Sequence, residues 1–172
     1  LEDHRYEPRW KDLKQEDPAF FNGYRRPDGK TGVRNELWIV PMVGCVNGLA
    51  RQLERQAAAR LPEGVDGVVA FQHSYGCSQL GDDLACTQKF LRGLLLHPNA
   101  GGVLALCLGC ENNRPEDMQA LLGGYDRERI AFLVCQDCED ELEEGLRILD
   151  RLGRYAASFR REPCPVSSLT VG

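Results

Sequence analysis

The sequence predicts an α/β fold: an open, mainly parallel sheet of about four strands with flanking helices, Rossmann-like in its βα repeats. Two patterns predict it. From Glu36 onward, short apolar runs alternate with segments of helical periodicity, and such alternation implies parallel strands joined by right-handed crossovers. Three Gly-Cys dipeptides, Gly44-Cys45, Gly76-Cys77 and Gly109-Cys110, also each sit just past one of the apolar runs. If those runs are parallel neighbours, their C-terminal ends share one edge of one sheet. That edge is where open α/β sheets bind ligands.

Residues 1–20 are polar and aperiodic, with Glu7-Pro8-Arg9 and Asp17-Pro18, and read as a linker or extended arm. Phe21 to Asn35 is dense in turn signals, Pro27-Asp28-Gly29 the strongest and Gly32 a second break. Strand one spans Leu37 to Val43 and feeds a helix with Val46, Leu49, Ala50, Leu53 and Ala57 at helical spacing. Pro62-Glu63-Gly64 closes that helix, and Val65 to Phe71 is strand two. The next helix starts near Asp82, turns Leu84, Phe90, Leu91, Leu94 and Leu95 inward, and stops before His97-Pro98-Asn99. Gly102 to Leu108 is apolar almost throughout, as a strand covered on both faces should be.

Pro115 opens a short helix, a favoured position for proline, carrying Met118, Leu121 and Leu122. Ile130 to Val134 is strand four. The last helix runs from about Asp137 to Tyr155 on a stripe of Leu142, Leu146, Leu149 and Leu152. Its acidic start suits the positive end of a helix dipole. The α/β domain therefore covers 21–160, and 161–172 reads as a tail leaving it toward a further region.

A chain of 172 residues holds one good core, and 42% hydrophobic with 27% charged residues is a globular balance. No apolar run approaches the roughly 20 residues that span a bilayer, and the charged start lacks a signal peptide's apolar centre. A cytoplasmic setting is the default reading, without a membrane partner. Net charge is −5 and the basic residues form no stripe, which argues against nucleic acid. Eight cysteines are many for a reducing compartment. A disulfide framework suits small loop-rich secreted domains instead, so buried thiols, metal or cluster ligands and redox groups remain to be separated by position.

At the second strand end, Phe71-Gln72-His73-Ser74-Tyr75-Gly76-Cys77 puts an imidazole and a thiol in one loop. They form a metal pair, or a base beside a ligand, or His73 is simply hydrogen-bonded to backbone. At the third, Cys110-Glu111-Asn112-Asn113 groups thiol, carboxylate and carboxamides, although the two Asn could instead cap the helix that Pro115 begins. Cys107-x-x-Cys110 and Cys135-x-x-Cys138 resemble zinc-ribbon pairs, but Cys107 lies inside a strand, where a zinc knuckle does not form. Cys86, within a helix, and Cys164, in the tail, read as inert. Cys45, Cys77 and Cys110 could hold an iron-sulfur cluster, or one or two of them a single ferrous ion with His73 or Glu111, or they fill tight turns as small hydrophobes.

Gly23-Tyr24-x-Arg26-x-Asp28-Gly29-x-x-Gly32-x-Arg34-Asn35, Cys45, Phe71-x-His73-x-x-Gly76-Cys77 and Leu108-Gly109-Cys110-Glu111 together resemble the altronate and galactarate dehydratase family, which also contains sulfolactate sulfo-lyase. The resemblance covers about residues 21–155 and implies the central domain of a longer enzyme. It implies a β-elimination that turns a sugar acid into a 2-keto-3-deoxy acid, dependent on iron or a similar divalent metal. Elimination of sulfite is the alternative. On this reading His73 and Glu111 are the acid/base candidates, and Cys45, Cys77 and Cys110 the metal ligands. Arg34, Asn35, Asn112 and Gln136 are the substrate contacts.

Arg34 and Asn35 rest on motif membership alone, since they precede strand one and so belong to the opposite sheet edge. After strand four this chain has Gln136-Asp137-Cys138-Glu139-Asp140-Glu141, an acidic departure from the Gly-Gly-Thr stretch of the sugar-acid dehydratases. The partners implied are a small hydroxy acid and the N- and C-terminal regions of the same enzyme, with homo-oligomerisation open. Two other readings compete: a non-catalytic module that binds an anion or partner, and a thiol-redox protein using Cys135 and Cys138.

Overall fold

The computed structural model describes residues 19–170. Most of the expected arm, residues 1–18, lies outside them, and Phe20 already opens a strand. Strand β1 (Phe20–Arg25) turns at Pro27-Asp28-Gly29 into β2 (Thr31–Gly32), closed by Arg26 N–H to Lys30 O at 2.8 Å. The chain does not depart after Arg161. It returns as β7 (Glu162–Pro165), which pairs antiparallel with β1 through Phe21 and Cys164. Cys164 is fully buried there, and Pro163 and Pro165 are tolerable because β7 is an edge strand of the order β2-β1-β7. Short-range turn signals dominate Phe21 to Asn35, while this pairing spans some 140 residues; the sequence pattern carries only the former.

The main sheet is parallel, in the order β4 (Gly67–Ala70), β3 (Glu36–Pro41), β5 (Ala100–Cys107), β6 (Ile130–Val134). Helices α1 (Asn47–Ala58), α2 (Gly81–Leu95), α3 (Pro115–Leu122) and α4 (Glu141–Ala156) link and cover it. Side chains of β3 alternate between two cores. Leu37 and Ile39 pack with Ala50 and Leu53 of α1 and Leu149 and Leu152 of α4. Trp38 and Val40 pack with Leu91 and Leu95 of α2 and Met118 of α3. Each of the Leu, Ile, Val and Met side chains contributes roughly 1.5–3 kcal/mol by leaving water.

Two details differ from the sequence pattern. Phe90 is 63% exposed, because Leu91 and Leu95, four apart, set the buried line of α2 and leave Phe90 off it. The last helix starts at Glu141, where the Asp140 carboxylate accepts from Glu143 N–H at 2.8 Å; Cys135–Asp137 form a separate 3₁₀ turn. What matters for the site is the sheet's starting point. The first parallel strand, β3, is internal, with its successor on one side and β5 on the other. The loops leaving β3 and β5 therefore diverge toward opposite faces, which is the switch point at which open α/β sheets bind ligands.

Candidate active site

Four loops meet at the C-terminal edge and are tied to one another by backbone and carboxamide bonds. Met42 N–H donates to Leu106 O at 2.7 Å, and Gly44 N–H to Tyr75 O at 2.9 Å. Asn47 Nδ2 donates to His73 O at 2.7 Å, Ser78 N–H to Asn112 Oδ1 at 2.9 Å, Asn113 Nδ2 to Met42 O at 3.2 Å, and Gln136 N–H to Leu108 O at 3.0 Å. Gly76, at φ +98°, lies so close to β3 that a Cβ would collide with the Met42 carbonyl oxygen. These ties bring Cys45, Cys77 and Cys110 to one rim, and all three are exposed. Shared location is as far as it goes. Among the described residues, no three His, Cys, Asp or Glu side chains stand close enough together to hold a metal ion.

His73 is on this rim, but both ring nitrogens are engaged. Nδ1 accepts from Tyr75 N–H at 3.1 Å, so Nε2 carries the proton and donates it to Pro41 O at 2.7 Å. An amide can only donate and a carbonyl only accept, which fixes the tautomer. In this arrangement the ring has no lone pair for a metal or a substrate proton. Glu111 is 4% exposed, and its carboxylate accepts from Leu108 N–H at 3.1 Å and Gly109 N–H at 2.6 Å. It holds the turn on which Gly109, at φ +121°, presents Cys110. Here Glu111 is a clamp on backbone amides.

Asn112 and Asn113 do not cap α3; Arg114 occupies the N-cap position, and the two carboxamides bridge to the loops after β4 and β3. The sequence reading missed Asn47, whose signal was a carboxamide two residues after a Gly-Cys turn at the start of an apolar helical stripe; Asn113 it grouped with Cys110 and Glu111 or read as a cap. The side-chain oxygens of Asn47 and Asn113 are buried without a hydrogen-bond partner among the described residues. Such acceptors suit an enclosed hydroxyl or water. Gln136 reaches the edge, its side chain lying over Gly109.

Arg34 and Asn35 do not join these groups. Asn35 is fully buried at the N-terminal edge: Nδ2 donates to Gly64 O at 2.7 Å and Ala156 O at 2.9 Å, and Oδ1 accepts from Arg26 Nη1 at 3.0 Å. Every polar atom of its side chain is used in holding the fold. Arg34 pairs with Glu36 at 3.1 Å. Arg26, which the motif shares with them, is 2% exposed. It donates to Pro98 O and Arg34 O and lies 4.7 Å from the Phe159 ring centroid; burial, then nearby Arg129, lower its pKa to about 10.

The remaining thiols are poor reagents. Cys107 is fully buried in β5, and burial pushes its pKa far above the ordinary thiol range, which removes the zinc-ribbon pairing. Burial, with Glu141 next, pushes Cys135 up to about 11. Cys138, whose Sγ donates to Val134 O at 3.3 Å, is also raised, by desolvation first and then Glu144. A redox pair needs a thiolate, so this environment opposes the thiol-exchange reading. Cys86 is exposed on α2.

Comparison with known proteins places the chain in a family. The family described as "D-galactarate dehydratase/Altronate hydrolase, second domain" matches residues 23–157. The chain belongs to this family. It is 46% identical, over its whole length, to altronate dehydratase of Escherichia coli K12 and 45% identical over 88% of its length to that of Bacillus subtilis 168. Against galactarate dehydratase (L-threo-forming) of E. coli K12 it is 32% identical over 88% of its length. The chain spans about a third of these proteins, 35%, 31% and 32% of their lengths respectively. As a second domain of the family, it supplies the sheet edge that carries the Gly-Cys turns. No helix among its described residues is long and apolar enough to cross a membrane.

Proposed function

We propose that this chain is the central part of a hydro-lyase that dehydrates a sugar acid, altronate ahead of galactarate, to a 2-keto-3-deoxy acid. The observation that carries the reading is the 46% identity to an altronate dehydratase across the whole chain, joined to a rim of three exposed thiols at the sheet's switch point. The reaction removes the proton α to the carboxylate and expels the β-hydroxyl as water, leaving an enol that tautomerises to the keto acid. Tyr75 N–H must release Nδ1 of His73 before that ring can take a proton, so proton transfer by His73 requires the loop Phe71–Leu80 to shift.

Iron, implied by the family resemblance, would supply Lewis acidity when bound. The described residues do not gather a complete ligand set, so the proposal assigns Cys45, Cys77 and Cys110 as the soft donors of this edge and the remaining ligands to other regions of the protein. The test is anaerobic purification of the whole protein, metal analysis, and keto-acid assay over a panel of sugar acids. Turnover of altronate, and loss of metal in Cys77→Ala and Cys110→Ala, are expected. Full activity in both variants would replace the lyase centre with a non-catalytic binding edge.

A further inference from the structure

Between the ends of β5 and β6 lies a cavity of about 340 Å³, lined by Gly109, Cys110, Arg114, Glu116, Gln136 and Asp137 among others. That volume is within the usual range for small-molecule pockets, roughly 300–1,000 Å³. Its walls are built from the fold upward. Pro115 keeps the preceding Arg114 extended, at φ −61° and ψ 144°, outside the helix it introduces. The Gln136 side chain lies against Gly109, where a Cβ would displace its Oε1, and its backbone is bonded to Leu108 O. Glu111, the third carboxylate in the wall, is already committed to two backbone amides.

Arg114 is the sole cation among the residues lining this cavity. The salt bridges among the described residues engage Arg25, Lys30, Arg34, Arg60, Arg147 and Arg161, and none engages Arg114. A free guanidinium fork takes a carboxylate through two parallel hydrogen bonds. Glu116 and Asp137 repel a bare anion but accept hydrogen bonds from hydroxyl groups, and Gln136 offers both a donor and an acceptor. The combination fits a ligand with one carboxylate and several hydroxyls better than a small inorganic anion, which brings at most one or two hydroxyl donors.

We infer that this cavity is the carboxylate subsite for a polyhydroxy acid, with Arg114 holding the carboxylate and Glu116, Gln136 and Asp137 receiving the hydroxyls. The inference rests on the lyase reading for the identity of the acid, and places its carboxylate on the β5–β6 side of the Cys110 turn. No residue of the subsite is given a proton-transfer role.

The experiment measures dissociation constants of the whole protein for altronate and for altritol, which has a hydroxymethyl group in place of the carboxylate. The unaltered protein should prefer altronate by at least tenfold. In Arg114→Ala that preference should collapse to within about twofold, and Arg114→Lys, which keeps the charge but loses the fork, should fall between. Where the protein turns altronate over, Arg114→Ala should raise KM tenfold or more with kcat changed less than threefold. A preference retained in Arg114→Ala, or no binding of either compound by the unaltered protein, overturns the subsite. Absence of turnover with the preference intact overturns the lyase reading and leaves the subsite standing.

Discussion

At the N-terminal ends of the parallel strands, Arg26, Asn35 and Arg129 are buried and hydrogen-bonded; at the C-terminal ends three thiols are exposed, and the buried carboxylate and carboxamides hold loop backbone. Arg26, Asn35 and Arg129 sit at 2%, 0% and 3% exposure. Each donates to main-chain carbonyls from distant segments: Pro98, Gly64 and Ala156, and Ala100 and His97. Cys45, Cys77 and Cys110 are exposed, and the loops bearing them are tied mainly to one another. Both ends carry residues of the same family motif. The contrast teaches that one half of that motif closes the hairpin onto the domain and the other half furnishes the edge of exposed thiols.

The largest effect expected from this contrast is on stability. Asn35→Ala strips partners from Arg26, Gly64 and Ala156 in a dry environment and should cost about 3 kcal/mol. In thermal unfolding that corresponds to a drop of roughly 6–12 °C for a chain of this size. Cys45→Ala and Cys77→Ala, at exposed positions, should stay within about 0.5 kcal/mol. Similar losses at the two ends would erase the distinction between frame and site.

Glycines sharpen it. Gly29 and Gly76 both have positive φ, +82° and +98°, but Gly29 faces open space while Gly76 abuts the Met42 carbonyl. Gly29→Ala should cost only backbone strain, about 1 kcal/mol, and Gly76→Ala about 2–3 kcal/mol because the two loops must part as well. Equal midpoints in urea unfolding would mean that the close approach of the β4 loop to β3 has no energetic weight. For His73, the bond from Tyr75 N–H to Nδ1 makes the ring a loop staple. His73→Ala should speed hydrogen exchange at the Tyr75 amide by about five- to tenfold. An unchanged exchange rate would free the ring for the proton-transfer role.

Much of this was legible before any coordinates. The parallel sheet and its four helices follow from alternating apolar runs, and the meeting of three Gly-Cys turns follows from parallel strand direction, because both are consequences of local periodicity and topology. The pairing of Phe21 with Cys164 was not, since antiparallel partners so distant in sequence leave no periodic trace. Nor was the engagement of His73 and Glu111 by backbone amides. A sequence shows that an imidazole or carboxylate is present, while its partners are fixed by loop geometry within a few ångströms. Asn35 is the clearest case: its motif position is identifiable in the sequence, but whether it faces ligand or framework depends on Gly64 and Ala156, which only the tertiary fold brings to it.

The smallest effect should come from His97, on the saturated side. Its ring stacks on Trp38 at 4.9 Å, and Nδ1 accepts from Asn99 N–H at 3.2 Å. Burial first, then Arg129 and Lys30, lower its pKa below the ordinary value, with Glu36 opposing them weakly. Because the folded pKa lies below the unfolded one, the unfolded chain binds the extra proton first as pH falls through about 6.5. Stability is therefore greatest above that pH and declines below it, until the folded ring also protonates and gives up the Asn99 bond. His97→Gln should flatten the stability profile below about pH 6.5 relative to the unaltered chain. A profile of the same slope would show that neither the burial of His97 nor its cationic surroundings bear on the fold, and that the N-terminal edge is saturated by hydrogen bonds alone.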